Sequence, residues 1–150
     1  MSNYLTFSIA GETCAVEISD VETVLENGCL SRVSGAPEYV AGLLDLRGEA
    51  VPVIDVRKKL GLDSPEDRAA SCIIVLSIKD DRGGRKPAGA LVDSVSEVID
   101  LPPGAIMPTG DFAVAFDEKV VRGIAKGEAG FITIIAAERL FEAPSVKVPV

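Results

Sequence analysis

Short runs of strand-forming residues, separated by glycine and proline, constrain this sequence more than any other feature. Residues 4–9 and 13–18 flank a Gly-containing turn at 10–12, which predicts a β-hairpin. Residues 72–78 form an almost unbroken β-branched and aliphatic run, typical of a strand buried on both faces. No helical pattern is long enough to connect neighbouring parallel strands. The sequence therefore predicts a mainly β protein made of small barrels rather than a βαβ fold.

Helical segments are expected to be few and short. Residues 19–20 are placed to cap a short helix, in which Val21, Val24 and Leu25 follow the i, i+3, i+4 spacing of an apolar helix face. Residues 57–60 predict one further helical turn.

A weak internal repeat is also present. Similar patterns recur with offsets of 74, 81 and 80, in the same order along the chain: 21–25 with 95–99, 42–44 with 123–125, and 53–60 with 133–140. Such patterns also arise by chance in β-rich chains. A true repeat would mean two related barrels of about half the chain each.

Composition limits the function. The 150 residues fit one domain or one compact pair of subdomains, and 47% hydrophobic residues are enough for a folded core. The 23 acidic and 15 basic residues give a net charge of −8, which repels phosphate backbones and disfavours nucleic-acid binding as the main role.

We expect a cytoplasmic location. No apolar run approaches the roughly 18–20 residues that span a bilayer. The first five residues lack the basic start and apolar core of a signal peptide.

The chain contains no histidine, which excludes a Ser-His or Cys-His nucleophile and an imidazole zinc site. Its three cysteines, Cys14, Cys29 and Cys72, are widely spaced in or beside apolar stretches, so we expect buried, reduced and inert thiols. A small enzyme that uses one of these thiols is the alternative from another functional class.

Four carboxylates are candidates for paired general acids and bases: Asp45, Asp55, Asp93 and Glu97. None comes with a nucleophile or metal-ligand spacing. We expect Asp55 to accept backbone N–H bonds or to pair with Arg57 or Arg47. No catalytic residue, cofactor or metal is predicted.

Two other segments could bind partners. Arg47 follows an apolar run and precedes a glycine turn, so it suits either an interface or a structural ion pair. Residues 83–86, Gly-Gly-Arg-Lys, are the nearest to a phosphate loop. They lie in a charged hairpin and open no helix, which favours a plain turn.

Residues 36–55, APEYVAGLLDLRGEAVPVID, resemble the signature of the CheW family of bacterial chemotaxis coupling proteins. Ala50 is smaller than the valine or isoleucine usual there, and Asp45 is often asparagine in the family. GALVDSVSEV at 89–98 and VVRGIAK at 120–126 also resemble family segments. The resemblance covers nearly the whole chain, from Tyr4 to about Phe141.

This resemblance implies a single domain over residues 1–150. It would consist of two SH3-like, five-stranded β-barrel subdomains around a shared hydrophobic core. It also implies a non-enzymatic adaptor that joins the cytoplasmic tips of chemoreceptors to the regulatory domain of the histidine kinase CheA. The protein would then be recruited to membrane-associated receptor arrays without inserting into the membrane.

The resemblance also implies roles for individual residues. Val21, Gly42, Arg47 and Val98 match receptor-binding positions, with Val21 and Val98 along a groove between the barrels. Thr23, Gly42 and Arg47 match kinase-binding positions, although the family often has an acidic residue where Thr23 stands. A CheW-like scaffold in another signalling system, such as surface motility, is the alternative within this class.

Overall fold

Twelve strands and three short helical turns make up the part of the chain that this computed structural model describes, residues 2–26, 30–62, 71–80, 82–108, 120–128 and 130–141. The strands are β1 (Ser2–Ile9), β2 (Glu12–Glu17), β3 (Val21–Glu26), β4 (Leu30–Ser31), β5 (Val40–Leu46), β6 (Glu49–Asp55), β7 (Cys72–Lys79), β8 (Arg85–Val92), β9 (Ser94–Leu101), β10 (Ile106–Met107), β11 (Val121–Gly127) and β12 (Gly130–Ile135). The helical turns are α1 (Val56–Lys59), α2 (Ala137–Leu140) and a 3₁₀ turn at Ile18–Asp20. Within these ranges no helix is long and apolar enough to cross a membrane.

The strands form two six-stranded sheets with the same internal order. The first sheet runs β10-β11-β12-β2-β1-β9, and the second runs β4-β5-β6-β8-β7-β3. In each sheet one central pair is parallel, β12 with β2 and β6 with β8, and the other pairs are antiparallel. Five longer strands and one two-residue strand make up each sheet. The predicted mainly β fold of two barrel subdomains with few short helices is confirmed.

This order explains the internal repeat. Each half of the chain contains a hairpin, four strands and a helical turn, so β1–β6 with α1 correspond to β7–β12 with α2. The hairpins are exchanged: β1 and β2 join the sheet of the second half, and β7 and β8 join the sheet of the first. Neither half can therefore complete its own sheet.

Apolar side chains are divided among three clusters. The largest lies between the sheets and includes Leu5 and Phe7 of β1 with Ile74 and Leu76 of β7. Each sheet also encloses its own smaller cluster. In β7, Ile74, Leu76 and Ile78 face the shared cluster, and Ile73 and Val75 face the cluster of their own sheet. The prediction that β7 is buried on both faces is confirmed, and each such side chain contributes about 1.5–3 kcal/mol relative to exposure.

The predicted helix after residues 19–20 is wrong, because Val21–Glu26 is strand β3, paired with β7. A register shift between Val21 and Thr23 explains the helix-like spacing. An extra residue in a strand reverses the alternation of faces. Val21 and Val24 therefore both pack against the shared cluster, and Leu25 packs inside its own sheet.

Candidate partner-binding surface

Arg47 lies at the tip of the hairpin formed by β5 and β6. Leu46 pairs with Glu49, so Arg47 and Gly48 are the two turn residues, with φ of +53° and +83°. Two positive φ values match the tight hairpin turn that fits the twist of the strands and that favours asparagine and glycine. Asp45 stabilises the turn, because its Oδ1 accepts the N–H of Gly48 at 2.9 Å.

The Arg47 side chain is exposed and has no ion pair among the described residues. A non-glycine residue with positive φ carries a conformational cost of about 1–2 kcal/mol. Ala10 in the β1–β2 turn has a similar φ of +50°, so this conformation comes from the two-residue hairpin turn. The structural ion pair that the sequence left open for Arg47 does not occur within the described ranges.

Gly42 is buried in β5 at a register shift relative to β6. Its φ is +153°, and a Cβ built there would lie 2.6 Å from the carbonyl oxygen of Ser31 and 3.1 Å from Cβ of Leu30. Strand β4 therefore lies close against the backbone of β5. Gly123 occupies the equivalent place in the first sheet, where an added Cβ would overlap Ile106 of β10.

The apolar candidates lie on strands at the sheet edges. Val21 and Thr23 are half-buried in β3, where Thr23 is the partner of Val75, and Val21 packs against the shared cluster. Val98 in β9 is 51% exposed. Its equivalent in the first half, Val24, packs against the shared cluster, as expected for a core residue. Val98 is thus a more accessible apolar side chain than Val21.

The candidates do not all share one sheet. Val21, Thr23, Gly42 and Arg47 belong to the second sheet, whereas Val98 belongs to the first. Within the second sheet, Leu25 of β3 and Leu46 of β5 pack against the same internal cluster. The strand that contains Thr23 and the hairpin that presents Arg47 therefore enclose one core.

Three of the four candidate acids, Asp45, Asp55 and Asp93, make structural contacts through their carboxylates. Asp55 is buried and caps α1, with its Oδ1 accepting the N–H of Lys58 at 3.4 Å, which confirms the expected backbone role. Asp93 binds Arg57, which donates from Nε at 2.9 Å, and also accepts the N–H of Ala10 at 2.9 Å. Asp45 caps its turn. Glu97 is exposed, and its backbone is bridged by the hydroxyl of Thr6.

The first sheet has a cleft that no sequence pattern predicted. Its volume is about 720 Å³, and its lining includes Ile99, Leu101 and Phe131 with the acidic residues Glu97, Asp100 and Glu128. Phe131 is 65% exposed. With the repeat offset of 81, Phe131 is equivalent to Ala50 of β6, and no sequence pattern marks either residue as part of a cleft.

Cys14 is fully buried, and burial raises the pKa of its thiol to about 12, with a smaller contribution from Glu12. The thiolate fraction at pH 8 is then about 10⁻⁴, so we expect almost no alkylation of Cys14 in the native protein at this pH. Peptide mapping after iodoacetamide treatment, with and without denaturant, measures this. Rapid native labelling of Cys14 would contradict its burial. Cys72 is half-buried, and Cys29 lies outside the described residues.

The two barrels exchange hairpins, and the tip of one hairpin holds an exposed arginine at positive φ. These features define a β-barrel scaffold with a candidate protein-binding surface. Residues 3–145 match the CheW-like domain, and the chain belongs to this family.

Individual relatives agree with this membership. The chain is 28% identical to the chemotaxis protein CheW of Rhizobium meliloti (strain 1021) over 137 residues, which cover 91% of this chain and 85% of the relative. It is 28% identical to chemotaxis protein CheW of Thermotoga maritima over 143 residues, covering 95% and 89%. The crystal structure of the scaffolding protein TtCheW from Thermoanaerobacter tengcongensis superposes with a TM-score of 0.84 at 32% identity, covering 99% of this chain and 97% of that one.

Proposed function

We propose that this protein is a non-enzymatic adaptor that couples chemoreceptors, the methyl-accepting chemotaxis proteins, to the histidine kinase CheA. Membership of the CheW-like family supports this role. The observation that carries it is the hairpin of β5 and β6, which holds Arg47 exposed at positive φ and without an ion pair in the described ranges. A planar guanidinium in this position suits recognition of a carboxylate or backbone carbonyl on a partner.

The receptor-binding residues are proposed to be Val21, Gly42, Arg47 and Val98. The exposed side chain of Val98 supplies apolar area for a receptor helix. Since Val21 already packs against the shared cluster, only its remaining exposed part is available. Gly42 is buried and acts through the shape of the hairpin.

The regulatory domain of CheA is proposed to contact Thr23, Gly42 and Arg47. Thr23 is half-buried beside the register shift of β3 and presents a hydroxyl in place of the acidic side chain frequent in the family. Kinase binding would then depend more on Arg47 than on a charge at position 23.

The two barrels are proposed to work as one unit, because the exchanged hairpins make each sheet depend on both halves of the chain. We further propose a cytoplasmic protein that needs no cofactor and is recruited to receptor arrays by these two partners.

We expect Arg47→Glu to weaken receptor or kinase binding by more than about 1 kcal/mol, because an interface arginine is replaced by the opposite charge. Titration calorimetry with a receptor cytoplasmic fragment and with the CheA regulatory domain measures both affinities. Val98→Asp is expected to weaken only the receptor complex.

Lys58→Glu is the matched control, because Lys58 is exposed on α1 and undergoes the same change of charge. Its affinities should stay within about twofold of the original protein. Unchanged binding by a folded Arg47→Glu variant, verified by circular dichroism, would disprove the assignment of Arg47.

A further inference from the structure

The hairpin of β7 and β8 ends in a basic tip, defined here as Lys79, Arg82, Arg85 and Lys86. All four residues are exposed. Residues 79–86 contain four basic and two acidic residues, so the rest of the chain has a net charge of −10. An acidic partner would be repelled by most of this protein and attracted to the basic tip.

The N–H groups of Arg82, Gly83 and Gly84 in this turn are already bonded within the turn. Oδ1 of Asp80 accepts the N–H groups of Arg82 at 2.8 Å and Gly84 at 2.9 Å, and the Asp80 carbonyl accepts the N–H of Gly83 at 3.2 Å. A carboxylate of the protein thus occupies the place that a bound anion takes in a phosphate loop. Any anion bound here must be held mainly by the basic side chains. The plain turn predicted for residues 83–86 is confirmed only for Gly83 and Gly84, because Arg85 and Lys86 already belong to β8.

The positions of these cations lower the stability of the folded protein. Lys79 and Arg85 are directly opposite partners in the β7–β8 ladder, and like charges so placed destabilise a hairpin. Arg85 is partly compensated by the carbonyl of Ser77 at 2.9 Å and by Asp20 at 3.7 Å. Lys79, Arg82 and Lys86 form no ion pair within the described part of the chain. A negatively charged partner would relieve this repulsion.

The basic tip borders the proposed receptor surface. Arg85 reaches Asp20, and Asp20 immediately precedes Val21 at the start of β3. We propose that the basic tip binds acidic side chains on the receptor segment that docks at Val21, forming the charged rim of that contact. This inference rests on the proposed function. The rim would act mainly on the association rate and on salt dependence.

The test compares Arg82→Gln/Lys86→Gln with the matched control Arg32→Gln/Lys58→Gln, which removes the same charges elsewhere. Binding of a receptor cytoplasmic fragment is measured at about 20 mM and about 500 mM salt. Since screening removes contacts between exposed charges, the tip variant should bind about fivefold to tenfold more weakly at low salt and within about twofold at high salt. The control should stay within about twofold throughout.

Equal binding by the tip variant and the original protein at both salts would overturn the basic tip as a rim, while weakened binding by Val98→Asp would leave the proposed function standing. No receptor binding by the original protein would overturn both. Binding of the original protein to anionic phospholipid vesicles is measured in a separate experiment. If the original protein binds these vesicles through Arg82 and Lys86, and its receptor binding is independent of them, the partner proposed here is wrong.

A second variant, Lys79→Glu, separates binding from folding. It converts the repulsive pair with Arg85 into an attractive one, so the melting temperature should rise by about 1–4 °C at low salt. Receptor binding should nevertheless fall about fivefold. A stabilised variant that binds the receptor unchanged would overturn the proposal.

Discussion

Gly42→Ala should lower the free energy of unfolding by about 2–4 kcal/mol, through backbone strain and overpacking together. The new Cβ would lie 2.6 Å from the carbonyl oxygen of Ser31, and backbone at that distance must move. The φ of +153° adds strain for any residue with a side chain. Urea denaturation followed by circular dichroism measures the change.

Gly35→Ala is the control for this prediction. Gly35 also has a positive φ, +81°, but a Cβ there meets no atom within 4 Å. Gly35→Ala should lower the free energy of unfolding by only about 1 kcal/mol, from backbone strain alone. The excess for Gly42→Ala then measures the close approach of β4 and β5. Equal losses for the two variants would show that no such approach restricts position 42.

This result bears on how Gly42 acts in binding. If Gly42→Ala unfolds easily and the folded fraction binds partners poorly, the glycine serves by placing β4 against the β5–β6 hairpin that carries Arg47. Gly123→Ala should be similarly destabilising, because its Cβ would overlap Ile106 and lie 2.6 Å from the carbonyl oxygen of Met107. A fully stable Gly42→Ala protein that fails to bind would instead indicate direct contact between a partner and the backbone.

Asp93→Asn should be the second large effect, with a loss of about 2–3 kcal/mol in the free energy of unfolding. Asp93 lies between β8 and β9. Its carboxylate connects this junction to α1 through Arg57 and to the β1–β2 turn through the N–H of Ala10. Its side chain is 21% exposed and that of Arg57 is 17% exposed. Neutralising Asp93 removes a charge partner from a largely buried guanidinium, and breaking such a pair costs up to about 3–5 kcal/mol when burial is complete.

The exposed pair of Arg122 and Glu17 provides the comparison. Its side chains are 47% and 32% exposed, and the charged atoms lie 3.4 Å apart. Arg122→Gln should therefore cost less than about 1 kcal/mol, as is usual for surface ion pairs. Both variants can be measured in the same denaturant series. An Asp93→Asn protein as stable as Arg122→Gln would contradict a structural role for Asp93 between the sheets.

Local sequence patterns predicted those strands in which apolar residues run regularly. The β1–β2 hairpin and the doubly buried β7 follow directly from residues 4–18 and 72–78. Strand β3 did not, because its bulge mimics helical spacing. Strand β9 was not predicted for the same reason: Val95, Val98 and Ile99 repeat the spacing of Val21, Val24 and Leu25.

Local sequence patterns did not predict the long-range contacts. The exchange of hairpins between the halves depends on contacts such as β1 with β9, which no local period records. The bond from Arg57 to Asp93, 36 residues away, follows from no local spacing either. The family signature singled out Arg47 and Gly42. The close approach of β4 gives a structural reason for the glycine, whereas the positive φ at position 47 does not favour arginine. Exposure of Val98 and Phe131 could be read only from the folded chain.

An adaptor must hold both partners at once, and a bridging experiment measures this. A receptor cytoplasmic fragment is immobilised and incubated with the CheA regulatory domain, with and without this protein. The kinase domain should be retained only when this protein is present, and Arg47→Glu should reduce retention at least fivefold. Retention independent of this protein, or no retention with a folded protein, would contradict the adaptor role.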